Sequence, residues 1–372
     1  MKRLGIIVLF DSSGNVDNYI KVLLSSLQSE LHEILIVING YMDNNSLKIL
    51  YNYTDMVFCR ENIGFDAGAY KDVFLHFFGR DRYEMYDEII LMNDTIFGPL
   101  SSLKMLFERF EAENVDFWGL TKHPEKVCNN GKVIESHIQA YFLVIRKTLF
   151  TDSLFETFWR ELDYPQSYEM AVRNFEIKFT VFFTEKGFQG NSLMELYQGL
   201  LWEKENPYLL HSYELIKELK VPFFKKKCLQ FQNEGYINAL KTLEYIEKED
   251  KYDTSLIWDN IYRLCREKKY LSVLDYADLD KFYAVHNRIF IYGNGKYGQK
   301  MEKYFRYRNW TFECFLSSEI TDTFVNCCKY SEIDFNSDDG VILALGKAAF
   351  AEVYPVVRER MDDTQMFILR YE

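Results

Sequence analysis

Short apolar runs closed by polar residues alternate along this chain with stretches of helical apolar spacing. Leu4–Phe10 is a continuous apolar run rich in β-branched residues and reads as a buried parallel strand. Asp11-Ser12-Ser13-Gly14 breaks it, and Val16–Leu27 has helical spacing. Glu33–Asn39 is a second buried strand, ended by Asn39-Gly40, and Leu47–Tyr53 reads as a short helix. Met56–Cys59 is a third strand, and Ala67–Phe78 is a helix with Val73, Phe74, Phe77 and Phe78 on its apolar side. Glu88–Met92 is a fourth strand, stopping at Asn93-Asp94. Leu100–Phe110 reads as a helix, and Phe117–Leu120 and Ala140–Ile145 as further strands.

Strands alternating with helices predict an α/β fold with an open, mostly parallel sheet. Ligands of such sheets sit beyond the carboxyl ends of the strands. That rule gathers Asp11, Asn39, the loop Arg60–Asp66 and Asn93-Asp94 around one crevice, although they lie far apart in sequence. Residues 150–225 read as aromatic-rich helices and loops, 229–285 as a charged helical connector, and a fresh strand-turn-helix opens near residue 286. The predicted division is therefore 1–228, 229–285 and 286–372.

Composition narrows the chemistry. The 372 residues carry a net charge of −12, which repels a nucleic acid backbone, and the one compact basic run is Lys225-Lys226-Lys227. Seven scattered cysteines show no zinc spacing, which predicts reduced thiols in a cytoplasmic protein. The opening apolar run stops at Asp11, too short for a signal peptide or a membrane span. Docking on a membrane surface stays open. Phe and Tyr number 31 and 27, enough for an aromatic core with rings to spare for stacking on sugars or bases.

Two segments carry candidate chemistry. In Arg60–Tyr70, Asn62, Gly64 and Asp66 lead directly into a helix. Glycine permits close approach of backbone to a ligand, and a helix N-terminus offers N–H groups to anions. Asp66 reads equally well as the helix N-cap. In Leu91–Thr95, Asp94 follows a buried strand, where a carboxylate can hold a divalent cation against a diphosphate. Asn93-Asp94 also reads as the cap of the following turn.

Five stretches in order, ENIGFDAGAY, LMNDTIFGPL, FWGLTKH, HIQAYFLVIRKTLF and VPFFKKKCL, resemble the rhamnan synthesis protein F family over about residues 1–230. The resemblance implies a GT-A-like glycosyltransferase of bacterial cell-wall or capsular polysaccharide synthesis. It would be an inverting enzyme taking rhamnose or a similar sugar from a nucleoside diphosphate. It implies donor contacts at Phe10, Asp11, Asn39, Asn62, Gly64, Asp66, Asn93 and Lys225, with Lys226 as a further cation. A divalent metal, Mg²⁺ or Mn²⁺, would sit at Asp94, with His211 as a further ligand or a structural residue. The general GT-A pattern has two acids spaced by one residue; this chain has one. The catalytic base falls on Glu176, with Glu169 and Asp163 as alternatives. The acceptor would be a lipid-linked oligosaccharide or polysaccharide at the inner face of the membrane, beside other polysaccharide-synthesis enzymes. A non-catalytic, transferase-like glycan- or partner-binding protein is the competing reading.

The C-terminal module opens with Gly293-Asn294-Gly295-Lys296-Tyr297-Gly298 between a strand and a helix, the context of a dinucleotide loop. Glu319 is its candidate ribose acid. The plainer reading is a glycine turn for helix–strand packing in a small Rossmann-like module, and NAD is not expected there.

Overall fold

The computed structural model describes residues 1–128, 130–196, 206–230, 234–249, 251–266, 276–319 and 326–369. The chain divides into two compact units, Met1–Cys228 with Asn233–Asn260, and Leu229–Gln232 with Ile261–Glu372. The helical segment read at 229–285 is thus split. Tyr236–Lys248 belongs to the first unit and Tyr276–Val285 to the second, while 267–275 lies outside the described residues.

The first unit is built on a seven-stranded sheet. Its strands are β1 (Arg3–Leu9), β2 (Glu33–Asn39), β3 (Val57–Arg60), β4 (Glu88–Asn93), β5 (Phe117–Gly119), β6 (Phe142–Arg146) and β7 (Gly190–Ser192). The spatial order is β7-β5-β6-β4-β1-β2-β3. β1 pairs in parallel with β2 and β4, and β2 with β3. β6 is antiparallel to both β4 and β5, the exception within the mostly parallel sheet. The cause is the connection: β5 reaches β6 through the short antiparallel pair Lys122–His123 and His137–Ile138 rather than a crossover helix.

Buried side chains on β1, β4 and β6 pack against an aromatic cluster that includes Tyr70, Phe74, Phe155, Phe158, Trp159, Phe175 and Phe179. Tyr70 lies 5.7 Å from Phe175, ring to ring, so the helix Phe65–Asp72 and the π-helical turn Val172–Ile177 share one rigid wall. Among the described residues no helix is long and apolar enough to cross a membrane.

The second unit carries β8 (Arg288–Tyr292), β9 (Phe315–Ser317), β10 (Cys327–Lys329), β11 (Asp339–Leu343) and β12 (Met366–Ile368). They pair in parallel in the order β10-β9-β8-β11-β12. A Cβ at Gly298 would stand 1.9 Å from the Gly293 carbonyl oxygen, so this glycine lets the helix Lys296–Arg308 close onto its own loop. Glu319 is exposed just past β9.

Candidate functional site

Parallel register brings the strand ends level: Val8 faces Asn93, Leu9 faces Ile38, and Asn39 faces Arg60. Hydrogen bonds then tie the loops beyond them together. The Phe10 backbone N–H donates to Asp94 Oδ2 at 3.2 Å, and the Tyr19 hydroxyl donates to the Asp94 carbonyl at 3.1 Å. Asn93 Nδ2 donates to Asp66 Oδ2 at 2.9 Å. Asn39 Nδ2 donates to the Phe65 carbonyl at 2.9 Å and its oxygen accepts from Arg60 at 2.6 Å. Asn39, Asp66, Asn93, Asp94 and Phe10 therefore share one rim.

The loop into the helix Phe65–Asp72 has an unusual backbone. Gly64 has φ 78° and is the N-cap, and Phe65 follows with φ 58°. A left-handed phenylalanine costs about 1–3 kcal/mol and persists only where its surroundings enforce it. Arg60 does so, bonding Asp72 at 2.6 Å, the Ile63 carbonyl at 2.7 Å and Asn39. Asp66 is therefore not the N-cap. Its Oδ1 accepts from the Ala67 N–H at 2.9 Å, and its Oδ2 meets Asn93.

Asn93 and Asp94 divide the labour. Asn93 Oδ1 closes the turn through the Thr95 N–H at 3.3 Å and the Thr95 hydroxyl at 2.5 Å. Asp94 takes no part in that turn. Burial pushes its carboxyl above the usual value; Lys226 and the Phe10 N–H pull it back, and Asp11 adds to the rise. Asp66 is raised likewise, by burial and then by the charge of Glu176, against the Asn93 hydrogen bond. Both carboxyls at these strand ends are thus held above their ordinary range, chiefly by burial.

Across the rim, β6 runs the other way, so its start lies beside the end of β4, with Phe142 facing Met92. Here Tyr141 meets Thr121 at 3.0 Å, and Lys225 Nζ lies 4.0 Å above the Tyr141 ring. Burial pushes the Lys225 amine down, opposed by Glu176. Glu176 sits in the π-helical turn, a distortion frequent at functional sites, with Oε1 3.5 Å from His137 Nε2. His137 Nδ1 lies 2.7 Å from the Glu135 carbonyl. A carbonyl only accepts, so Nδ1 donates and Nε2 is the nitrogen left to face Glu176. The His123 ring stacks on His137 at 5.1 Å, and burial lowers the His123 pKa.

Of the other expected residues, Asp11 acts on this rim through its charge on Asp94. Asp11 Oδ1 holds its own turn, accepting from Ser13 N at 2.9 Å and Asn15 N at 3.0 Å. Asn62 is exposed on the loop, and Glu169 and Asp163 are exposed. His211 lies between two short helices, with Nδ1 4.0 Å from Glu214. Sequence reasoning passed over Tyr19 and His137, gave Arg60 no role beyond opening its loop, and of the rings that stay exposed near the rim named only Phe10. Phe10 is 48% exposed, Tyr41 69% and Phe65 36%. Close spacing groups two of them: Cβ positions at Gly40 and Gly14 would fall 3.9 Å from Phe10 and 2.7 Å from Tyr41.

Among the described residues no group of three or more His, Cys, Asp or Glu is placed to hold a metal. At the expected position Asn93 is a neutral amide engaged by Thr95 and Asp66, and the charged neighbours of Asp94 are the Lys226 ammonium and the Asp11 carboxylate, which holds its own turn. Among the described residues this donor set falls short of a cage that would hold a divalent ion by protein ligands alone.

The profile of rhamnan synthesis protein F matches residues 34–315. The chain belongs to the rhamnan synthesis protein F family. The match runs beyond the end of the motif resemblance near residue 230. A family member here is 26% identical over 191 residues to the uncharacterized protein y4gN of Sinorhizobium fredii, covering 51% of this chain and 48% of that protein. The chain thus spans about half the length of that curated relative. Among solved structures, 4-diphosphocytidyl-2C-methyl-D-erythritol synthase from Anaerococcus prevotii is 12% identical, with a TM-score of 0.33 over 51% of this chain and 86% of that one. HddC from Yersinia pseudotuberculosis is 11% identical, with a TM-score of 0.28 over 42% and 80%.

Proposed function

We propose that this family member is a glycosyltransferase that takes a sugar from a nucleoside diphosphate at the ends of β1–β4. The acceptor is a hydroxyl of a growing cell-wall or capsular polysaccharide. The observation that carries the reading is the hydrogen-bonded rim Asn39–Phe65–Asp66–Asn93, continued by Asp94–Phe10. A parallel α/β sheet binds its ligand at such a rim. Exposed Phe10 and Tyr41 offer ring faces to the base.

Glu176 is the base in this reading. It faces the rim from the opposite wall, close enough to raise the Asp66 carboxyl. Its carboxylate would take the acceptor proton as the hydroxyl attacks the anomeric carbon and the nucleoside diphosphate departs. One base and one displacement give inversion. His137, 3.5 Å away, is a positioning residue that fixes which carboxylate oxygen faces the acceptor. Rhamnose is the sugar the family name suggests.

A panel of dTDP-, UDP- and GDP-linked sugars tests this. One class should raise the unfolding midpoint and release nucleoside diphosphate on addition of acceptor. If no member of the panel stabilises the protein, the proposal fails. Stabilisation without release selects the glycan- or partner-binding reading instead. Glu176→Gln should lower transfer by about 100- to 10,000-fold, the usual weight of a general base, and leave donor binding intact. An unchanged rate would move the base to another residue.

A further inference from the structure

The leaving diphosphate needs a positive charge, and this rim contains one that belongs to the chain. Phe224–Lys225 pairs with Ile96–Phe97, just past Asp94, and the Lys226 N–H donates to the Thr95 carbonyl at 3.0 Å. The Lys226 backbone is thereby pinned to the turn that carries Asp94. Its Nζ donates to the Tyr19 hydroxyl at 2.6 Å, and that hydroxyl in turn donates to the Asp94 carbonyl at 3.1 Å. The ammonium also lies 4.6 Å from the Tyr19 ring and 5.6 Å from the Phe97 ring, within cation–π range. A long, flexible side chain is held in one direction by two residues, Tyr19 and Phe97.

The position matters because of what surrounds it. At the end of β4 Asn93 supplies only a neutral amide, already bonded to Thr95 and Asp66, and the acid nearest Asp94, Asp11, holds its own turn. Lys226 meanwhile offsets part of the Asp94 charge across the turn. We propose that Lys226, aimed by Tyr19, supplies the charge that binds and neutralises the leaving diphosphate, so that this transferase works without a divalent metal. The inference rests on the donor reading above and goes beyond it. The site would take the diphosphate of a nucleoside diphosphate, recognised by a fixed ammonium beside backbone N–H groups.

The probes are dTDP, UDP and GDP, titrated onto the 372-residue chain in EDTA and again in Mn²⁺. The expected result is equal affinity in both for the preferred nucleotide. Lys226→Met should weaken it about 10- to 100-fold, the weight of one charge-assisted hydrogen bond. Lys226→Arg, which keeps the charge, should recover part of the loss. Tyr19→Phe keeps the ring and should cost only about 2-fold, half a kcal/mol. Lys227→Met, one residue along and exposed, should bind as the parent does. Circular dichroism confirms that each variant is folded. Binding that vanishes in EDTA, returns with Mn²⁺ and survives Lys226→Met overturns the inference while the donor reading stands. Binding of no nucleotide under either condition overturns both.

Discussion

The strand β4 carries an acid at each end, and the two ends are built differently. Glu88, at its start, is buried between two guanidinium groups, Arg3 Nε at 2.7 Å and Arg146 Nε at 3.3 Å. Arg3 continues to Glu111 at 2.8 Å and packs over the Phe107 ring, and Arg146 also holds the Glu113 carbonyl at 2.7 Å. At the other end, Asp94 meets a backbone N–H, one ammonium and a second acid, and its carboxyl is pushed up by burial. One end therefore satisfies its charge within the fold. The other leaves its charge incompletely compensated at the edge proposed for the donor. The second unit offers the complementary case: the Gly293–Gly298 loop has the glycines of a nucleotide site, and its closest approach is to its own backbone. Glycine spacing reports close approach, while unbalanced buried charge points to a ligand.

That contrast breaks most readily at the paired end. Glu88→Gln should destabilise the first unit by about 3–5 kcal/mol, because it strands buried Arg3 without its carboxylate. Urea unfolding measures it, and a loss below about 1 kcal/mol would show that Glu88 is not the clamp described. Nucleotide affinity of the folded variant should stay at the parent value, since the other end of β4 is untouched. A smaller effect is expected at the rim. Asn39→Ala removes the amide between Arg60 and the Phe65 carbonyl, which should cost about 1–3 kcal/mol. It should also weaken nucleotide binding, because it frees the strained Phe65 turn. A variant that loses stability and keeps full affinity would make Asn39 purely structural.

The strand ends were legible because buried parallel strands are continuous apolar runs, and the residue that stops each run is the residue at the rim. Asp11, Asn39, Asp66 and Asp94 follow from that rule alone. The direction of Phe142–Arg146 was not legible, since a strand buried on both faces reads the same in either direction. Gly190–Ser192 pairs with β5 without one large apolar residue, so it left no pattern to read. His137 carries no local signal of its own; only the antiparallel pair and the π-helical turn bring it to Glu176. The Tyr19–Lys226 contact spans 207 residues and has no local signature. The different roles of Asn93 and Asp94 depend on which side chain turns back toward Thr95, and adjacency in sequence says nothing about that.

The subtlest consequence concerns Asp94 itself. Burial raises its carboxyl above the ordinary 3.8, so the folded chain holds the proton more tightly than the unfolded chain does. The stability gained from that proton is complete below the ordinary carboxylate value and is lost as pH rises through the raised one. At neutral pH the ionised Asp94 therefore opposes folding. Asp94→Asn keeps an oxygen for the Phe10 N–H and discards the charge. The apo protein should become more stable at neutral pH, by about 1 kcal/mol or less, because Lys226 already offsets part of the cost and the site is open to water. The gain should shrink as pH falls and disappear once both forms are uncharged. Unfolding midpoints of parent and variant, measured across the acid range, test the sign directly. A variant less stable than the parent at neutral pH would mean that Asp94 is clamped as Glu88 is. The two ends of β4 would then be alike, and the rim would lose its claim to stored charge.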